Sequence, residues 1–284
     1  MVQPPRKPFD DEIDVHGLTH PGKLRPSNED HFLLASIHKR IRVLSTSLAL
    51  EHLSAHEDRL AFIAMVADGV GGLERGEEAS ATALEAALRY LGEGMDCYYR
   101  AEPGTDQFER DLVAAAMRAH EVVRSKAEGS GTGPMATTLT LYMGVWPTYY
   151  LLQVGDSRYY QYRNGRLSLV TRDQTVAQEL VDQGVLSAEA ATKTKLAHVL
   201  SSSIGGDEAA PVVTRLDSEW GIAHLMCSDG LTKHVSDARI AEVLGMMTSA
   251  KQAAEQLLQD ALDGGGTDNV TIIVGRTMPK PGRD

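Results

Sequence analysis

Cysteine is scarce in this chain, and chemistry that depends on cysteine is correspondingly excluded. Cys97 and Cys227 are the only two among 284 residues, and they do not form a Cys-x-x-Cys pair. Such a sequence predicts neither a disulfide framework nor a cysteine-rich zinc site. Cys227 stands in an apolar run, which predicts a small core residue.

Long apolar runs and an excess of basic residues are also missing. No uninterrupted apolar stretch approaches the roughly 20 residues of a membrane-spanning helix, and the first eight residues lack the apolar core of a signal peptide. The formal net charge of −11 disfavours nonspecific attachment to nucleic acid or to an anionic membrane face, since both attract basic surfaces. We therefore expect a cytoplasmic monomer without nucleic acid or membrane partners.

The motifs that present covalent nucleophiles in hydrolases are absent from the sequence. There is no Gly-x-Ser-x-Gly elbow, no His-Cys-x5-Arg arrangement and no Gly-x-x-x-x-Gly-Lys-Ser/Thr phosphate loop. The glycines after Asp68 do not complete a Gly-x-Gly-x-x-Gly fingerprint, because the third glycine would fall at Glu74. Water is the nucleophile that remains.

Four aspartates at the borders of apolar runs are the most informative feature that is present. Asp68, Asp156 and Asp229 each follow such a run, and Asp268 precedes one. The runs predict buried strands, so the carboxylates are expected at strand ends, where they could converge. Carboxylates a few ångströms apart repel by about 4 kcal/mol per pair at an effective dielectric constant of about 20. A divalent cation offsets this repulsion, and ligation by oxygen alone points to Mg²⁺ or Mn²⁺.

Each aspartate taken singly has a simpler interpretation. An Asp-Gly pair after a strand is the common sequence of a plain turn, and only the repetition of the pattern favours a metal site. Arg25, shortly before Glu29 and Asp30, presents the same choice. Its guanidinium suits bidentate phosphate binding, but the spacing fits an ordinary solvated loop equally well.

Secondary-structure signals predict one α+β domain. Apolar and β-branched runs predict strands near 13–19, 30–37, 60–67, 136–146, 148–155, 158–163, 167–171, 211–216, 222–228 and 269–276. Helical spacing of apolar residues predicts helices at 76–91, 107–126, 176–183, 237–246 and 250–262. Clustered strands with paired long helices between them favour antiparallel sheets covered by helices.

Six motifs, in order and at these intervals, resemble the bacterial metal-dependent (type 2C) serine/threonine protein phosphatases. They are Arg25-Pro-Ser-Asn-Glu29-Asp30, Asp68-Gly-Val-Gly-Gly72, Met135-Ala-Thr-Thr138, Val154-Gly-Asp156-Ser-Arg158, Ser228-Asp229-Gly230 and Thr267-Asp268-Asn269. The resemblance implies a four-layer α-β-β-α sandwich, in which two antiparallel sheets are flanked by helices. It implies a phosphatase domain over residues 13–277 with a flap at about 176–203, between flexible tails at 1–12 and 278–284.

The resemblance also implies a centre of two Mn²⁺ or Mg²⁺ ions, with a weaker third. Asp68 corresponds to the carboxylate that bridges both metals, and Gly69 to a ligand through its carbonyl. Asp229 and Asp268 correspond to ligands of the second metal. Asp156 corresponds to the aspartate of the third, shared with Asp229.

Further roles around the metals follow from the same resemblance. Arg25 corresponds to the arginine that grips the substrate phosphate. Glu29 and Asp30 correspond to acids that hold metal-bound waters, and Asn269 to a support of the Asp268 loop. One position departs from the family pattern: Val70 stands where animal members commonly have a histidine credited with protonating the leaving alkoxide.

The implied activity is hydrolysis of phosphoserine and phosphothreonine on proteins, in signal transduction opposite a serine/threonine kinase, by direct attack of metal-activated water. Two alternatives stay open. One is a noncatalytic signalling module that binds phosphoproteins on the same fold, and the other is a small-molecule phosphate metallohydrolase. The complete set of aspartates favours catalysis.

Overall fold

The computed structural model describes residues 6–40, 57–70, 75–94, 105–131, 133–217, 219–280 and 282. Its strands are β1 (Ile13–His20), β2 (Asp30–Arg40), β3 (Glu57–Asp68), β4 (Leu139–Val145), β5 (Thr148–Val154), β6 (Arg158–Arg163), β7 (Arg166–Leu169), β8 (Val212–Asp217), β9 (Ala223–Cys227) and β10 (Val270–Thr277). Its α-helices are α1 (Gly76–Gly94), α2 (Thr105–Ser130), α3 (Val176–Asp182), α4 (Ala188–Ala191), α5 (Asp229–Thr232), α6 (Asp237–Gly245) and α7 (Ala250–Asp263).

The strands form two antiparallel sheets. The first sheet has the order β1-β10-β9-β6-β7, and the second has the order β2-β3-β4-β5-β8. Each sheet therefore combines strands from distant parts of the chain. The hairpin β6–β7 turns at Asn164 and Gly165, where φ is 51° and 79°. This is the left-handed geometry that the Asn-Gly pair favours.

Three apolar layers alternate with the backbone layers. Helices α1 and α2 pack on the second sheet, where Leu112 and Leu141 are fully buried. Helices α6 and α7 pack on the first sheet through the periodic inner face of α7, which includes Leu257. Between the sheets, Val66 from β3 meets Met226 from β9. These layers confirm the predicted four-layer α-β-β-α sandwich.

The predicted elements correspond closely to the observed ones. All ten predicted strands and all five predicted helices are present, with ends shifted by a few residues. The short helices α4 and α5 were not predicted, because four residues are too few to show a helical period. Residues 41–56, between β2 and β3, and residues 95–104, between α1 and α2, lie outside the described residues.

The two segments predicted as tails contact each other through Glu12. Arg6 forms an ion pair of 2.6 Å with the buried Glu12 carboxylate. The backbone nitrogens of Met278 and Lys280 donate to the Glu12 backbone and side-chain oxygens at 2.9 and 3.1 Å. Residues 1–5, 281 and 283–284 lie outside the described part, and the domain boundaries at 13 and 277 stay predictions.

Candidate metal centre

The ends of four strands bring acidic residues together at one end of the sandwich. In the second sheet, the antiparallel register of β2 and β3 places Asp30 directly opposite Asp68. In the first sheet, Asp229 follows β9 and Asp268 precedes β10, which are neighbouring antiparallel strands. The hydroxyl of Ser228, beside Asp229, donates to the Asp30 carboxylate at 2.7 Å. Both sheets therefore contribute carboxylates to one site.

Asp68 is held in place by two threonines. Its backbone nitrogen donates to the Thr138 hydroxyl at 3.0 Å, and its carbonyl accepts from the Thr137 hydroxyl at 2.8 Å and the Thr138 nitrogen at 2.9 Å. Removal from water raises the pKa of Asp68 well above its usual value, and the charges of Asp30 and Asp229 raise it further. A carboxylate in this position needs a nearby cation in order to ionise.

Two more aspartates share this unfavourable environment. Burial raises the pKa of Asp30 to about 6, although hydrogen bonds from Ser228 and Thr271 favour its ionised form. Burial and then the charge of Asp229 raise the pKa of Asp156 to about 7. The chain thus gathers carboxylates that resist ionisation without metal.

Asp229 and Asp268 enclose the ammonium group of Lys233. The Lys233 Nζ lies 2.6 Å from Asp229 Oδ2 and 2.6 Å from Asp268 Oδ2. Burial alone would lower the pKa of Lys233, but the carboxylates of Asp229 and Asp268 outweigh burial and raise it above its usual value. Burial alone would raise the pKa of Asp268, but hydrogen bonds from Lys233 and Arg25 outweigh it and hold the pKa below its usual value.

Arg25 lies at the mouth of the site with its guanidinium against Asp268. Its Nε and Nη2 atoms are 2.8 and 3.1 Å from the two carboxylate oxygens, which is bidentate pairing. About 40% of the arginine side chain is exposed. The guanidinium is therefore accessible to an incoming anion.

Asn269 connects the Arg25 loop to β10. Its Nδ2 donates to the carbonyls of Pro21 and Ser27 at 2.9 Å each, and its Oδ1 accepts from the Glu29 backbone nitrogen at 2.8 Å. Three hydrogen bonds from one side chain thus fix the loop on both sides of Arg25. Asn269, predicted as a support of the Asp268 loop, thus also holds the loop that carries Arg25.

Two glycines permit close backbone approaches at the site. A Cβ on Gly69 would collide with the backbone of Gly76 at the start of α1, and a Cβ on Gly230 would collide with the Asn269 carbonyl oxygen. The Gly69 nitrogen donates to the Glu29 carbonyl at 3.2 Å. Larger residues would force these segments, and the aspartates beside them, apart.

Comparison with known proteins decides the family. The model of the protein phosphatase 2C family matches residues 50–264. The chain belongs to the protein phosphatase 2C family. It is similar to the serine/threonine protein phosphatase PstP of Mycobacterium tuberculosis, with 35% identity over 75% of this chain and 41% of PstP. The chain therefore matches less than half the length of that relative.

Two further comparisons agree. A serine/threonine phosphatase stp of Listeria monocytogenes is 30% identical over 78% of this chain and 87% of its own length. The crystal structure of the PstP catalytic domain in complex with two manganese ions superposes with a TM-score of 0.70 and 29% identity, over 94% of this chain and 99% of that one. The chain thus carries the fold of a protein phosphatase 2C catalytic domain.

The turn before Asp156 is fixed by a segment that follows β7. In Asp173-Gln174-Thr175, Gln174 accepts through Oε1 from the Gly155 nitrogen at 2.8 Å and donates from its backbone nitrogen to the Gly155 carbonyl at 3.1 Å. Asp173 pairs with Arg158 at 2.7 Å. Gln174 therefore holds Gly155, the residue before Asp156, in place.

The predicted flap at 176–203 contains α3, α4 and a 3₁₀ turn at Lys195–His198. Several large apolar side chains in it face solvent, among them Val185, Leu196 and Val199. In the part of the chain that the structure describes, no helix is both long and apolar enough to cross a membrane.

The donor set of the site consists of oxygen atoms, which fits hard divalent cations. Among the described residues, no three His, Cys, Asp or Glu side chains form a group that could hold a metal. Asp229 and Asp268 instead surround Lys233, while Asp68 and Asp156 carry raised pKa values because of burial and neighbouring acids. Carboxylate and carbonyl oxygens are the ligands that Mg²⁺ and Mn²⁺ prefer in proteins, so the chemistry of these side chains fits such ions.

Sequence reasoning missed two side chains of this protein phosphatase 2C site, Ser228 and Lys233. Ser228 links the sheets through Asp30 and also accepts from the Thr271 nitrogen at 2.9 Å. Ser228 stands in the motif Ser228-Asp229-Gly230, but its contact with Asp30 depends on the tertiary structure. Lys233 stands four residues after Asp229, a spacing that brings two side chains together on a helix.

Proposed function

We propose that this chain is a metal-dependent serine/threonine protein phosphatase, which hydrolyses phosphoserine and phosphothreonine on proteins. The observation that carries the proposal is the convergence of acids from both sheets beneath an accessible arginine. The family membership supports it, because relatives of the chain are named serine/threonine phosphatases. Asp30, Asp68 and Asp156 lie beside like charges that bound cations would offset, and the exposed part of the Arg25 guanidinium suits an anionic substrate.

Asp68, Asp229 and Asp268, with the Gly69 carbonyl, would hold two Mn²⁺ or Mg²⁺ ions, and Asp156 with Asp229 a weaker third. When bound, these ions supply a water that ionises near neutral pH and positive charge for the phosphoryl transition state. The manganese ions in the PstP catalytic domain support this assignment. The roles of the individual residues are part of the proposal.

Side chains of this chain orient the reactants. Arg25 exchanges its pairing with Asp268 for bidentate hydrogen bonds to the phosphoryl oxygens. Glu29 and Asp30 accept hydrogen bonds from water at the site, and Asn269 keeps the Arg25 loop in register with Asp268. Val70 has no proton to give, so the leaving serine or threonine oxygen takes its proton from another group.

The proposed substrates are proteins phosphorylated by a serine/threonine kinase in the cytoplasm. We also propose that the enzyme acts as a monomer. The chain matches only 41% of the length of PstP, so the substrates of that relative are not transferred. The solvent-facing apolar residues of the flap offer a surface against which a protein substrate could pack.

The test is phosphate release from a phosphothreonine peptide with Mn²⁺, by the wild-type chain and by Asp229→Asn. We expect turnover by the wild type and a loss of at least about 100-fold in the variant, because several kcal/mol of the barrier depend on the metals. Asp263→Asn, on the exposed end of α7, is the matched control. Circular dichroism should show both variants folded.

The same assay separates the two alternatives. Peptide binding without phosphate release would identify a noncatalytic module. Faster release from sugar phosphates or nucleotides than from phosphopeptides would identify a small-molecule hydrolase. Near-normal activity of Asp229→Asn would contradict the proposed ligand set.

A further inference from the structure

Lys233 places a positive charge between two proposed ligands of one metal. Its ammonium nitrogen is 2.6 Å from a carboxylate oxygen of Asp229 and 2.6 Å from one of Asp268. Only 26% of the lysine side chain is exposed. An ammonium at hydrogen-bond distance from both oxygens uses the same lone pairs that a divalent cation would use.

The fold aims Lys233 at this position. Helix α5 begins at Asp229, and Lys233 caps its end, with the Lys233 backbone nitrogen donating to the Asp229 carbonyl at 2.9 Å. The i, i+4 spacing puts both side chains on one face of the turn. The buried Gly230 and Leu231 fix that turn against the first sheet, so the lysine extends across the gap toward Asp268.

We propose that Lys233 is an internal counterion of the metal centre, which occupies the space between Asp229 and Asp268 in the metal-free chain and competes with the second ion. The inference rests on the proposed function in that Asp229 and Asp268 must be metal ligands. It adds that this chain lowers its own metal affinity while keeping its metal-free form stable. A long flexible stem lets the ammonium leave when a doubly charged ion arrives.

A purely structural salt bridge is the competing explanation. Exposed i, i+4 pairs contribute only about 0.3–0.5 kcal/mol and affect no other site. Lys251 and Glu255, 3.7 Å apart on the exposed face of α7, form such a pair. Lys233 differs because it also reaches Asp268, which belongs to another segment of the chain.

The two explanations predict different responses to metal. Mn²⁺ binding to the chelator-treated chain is measured by calorimetry, and melting temperatures are measured without metal and at saturating Mn²⁺. For Lys233→Gln we expect about tenfold tighter Mn²⁺ binding, because one competing charge is gone. The metal-free melting temperature should fall while the metal-saturated value stays at that of the wild type.

Three further variants complete the experiment. Lys251→Gln has the same change of charge in an ordinary helix pair and should leave Mn²⁺ affinity unchanged. Lys233→Met keeps the volume of the stem, so it should reproduce the tighter binding if glutamine disturbs folding. Lys233→Arg restores a positive charge and should return the affinity toward the wild-type value.

Equal or weaker Mn²⁺ binding by both uncharged variants would overturn the inference. An equal loss of melting temperature with and without metal would also overturn it and would establish a structural salt bridge. Absence of Mn²⁺ binding to the wild-type chain would refute the proposed function and, with it, the inference.

Discussion

The aspartates of this site fall into two groups, because their surroundings shift their pKa values in opposite directions. Asp268 is paired with two cationic groups, Arg25 and Lys233, which keep it ionised. Asp68, Asp30 and Asp156 are withdrawn from water beside like charges, and their pKa values rise. Ionising these three aspartates in the metal-free chain therefore costs free energy, and bound cations would lower that cost.

The role of Arg25 can be tested by separating KM from kcat. Arg25→Ala should raise KM more than it lowers kcat if the guanidinium binds the phosphate equally in the ground and transition states. Initial rates over a range of phosphopeptide concentrations measure both constants. Arg124→Ala, on the exposed face of α2, is the control. A fall in kcat at constant KM would instead make Arg25 a group that acts only on the transition state.

Asp156 predicts a pH-dependent stability in metal-free buffer. Its pKa is about 7 in the folded chain, above the usual 3.8 for an unfolded aspartate. Folding therefore requires a proton between these values, and stability is lost as the pH rises from 4 to 7. Asp156→Asn removes this loss, so the variant should gain about 1–4 kcal/mol over the wild type by pH 8 and little at pH 4.

Urea denaturation at several pH values with chelator present measures that difference. A gap between the variant and the wild type that is constant with pH would show that Asp156 titrates normally. The rise should level off above pH 7, because the folded and unfolded forms are then both ionised.

Loops and turns at the strand ends position these side chains. The segment between β1 and β2 carries Arg25 and has its main attachment to β10 through Asn269. The short helix α5, which follows β9 of the first sheet, begins at Asp229 and is capped by Lys233. The geometry of the candidate metal centre therefore depends on hydrogen bonds between segments distant in sequence.

Asn269→Ala tests this dependence. Loss of three hydrogen bonds, with the Glu29 nitrogen and two carbonyls left to find water, should destabilise the chain by about 1–3 kcal/mol. The same change should raise KM, because the Arg25 loop loses its attachment. Denaturation and steady-state kinetics measure the two effects, and Asn164→Ala in the β6–β7 turn shows the effect of an asparagine away from the site. Lower stability with an unchanged KM would separate Asn269 from phosphate binding.

The sequence predicted the positions of helices and strands better than it predicted which strands pair. Apolar runs ending at Asp68 and Asp229 predicted strands correctly, because this signal is local. Which strands share a sheet, and that Asp30 faces Asp68, depend on long-range pairing that no local pattern contains. The family resemblance, rather than the residues alone, brought the four aspartates into one site.

Lys233 illustrates a different limit. Helical spacing predicts that Lys233 lies near Asp229. Its contact with Asp268 depends on the tertiary structure and cannot be predicted from local sequence. Helix α5 was too short to be recognised from periodicity, so even the local half of the relation was missed.

We expect metal binding to stabilise the whole fold. Cations that bind only the folded chain stabilise it by about 2.7 kcal/mol at 100 times their dissociation constant. For a domain of this size, that corresponds to a rise in melting temperature of about 5 °C. Thermal denaturation with saturating Mn²⁺ and with excess chelator measures the shift. Identical melting temperatures would contradict a metal centre built from these aspartates.

The division of the acids between two sheets has a consequence for how the protein could be dissected. Asp30 and Asp68 come from the second sheet and Asp229 and Asp268 from the first, whose inner faces meet through residues such as Val66 and Met226. A fragment that ends after β5 lacks half of the site, and so does the remainder. Phosphate release from co-expressed halves would consequently serve as a reporter of fragment complementation, since neither half alone can be active.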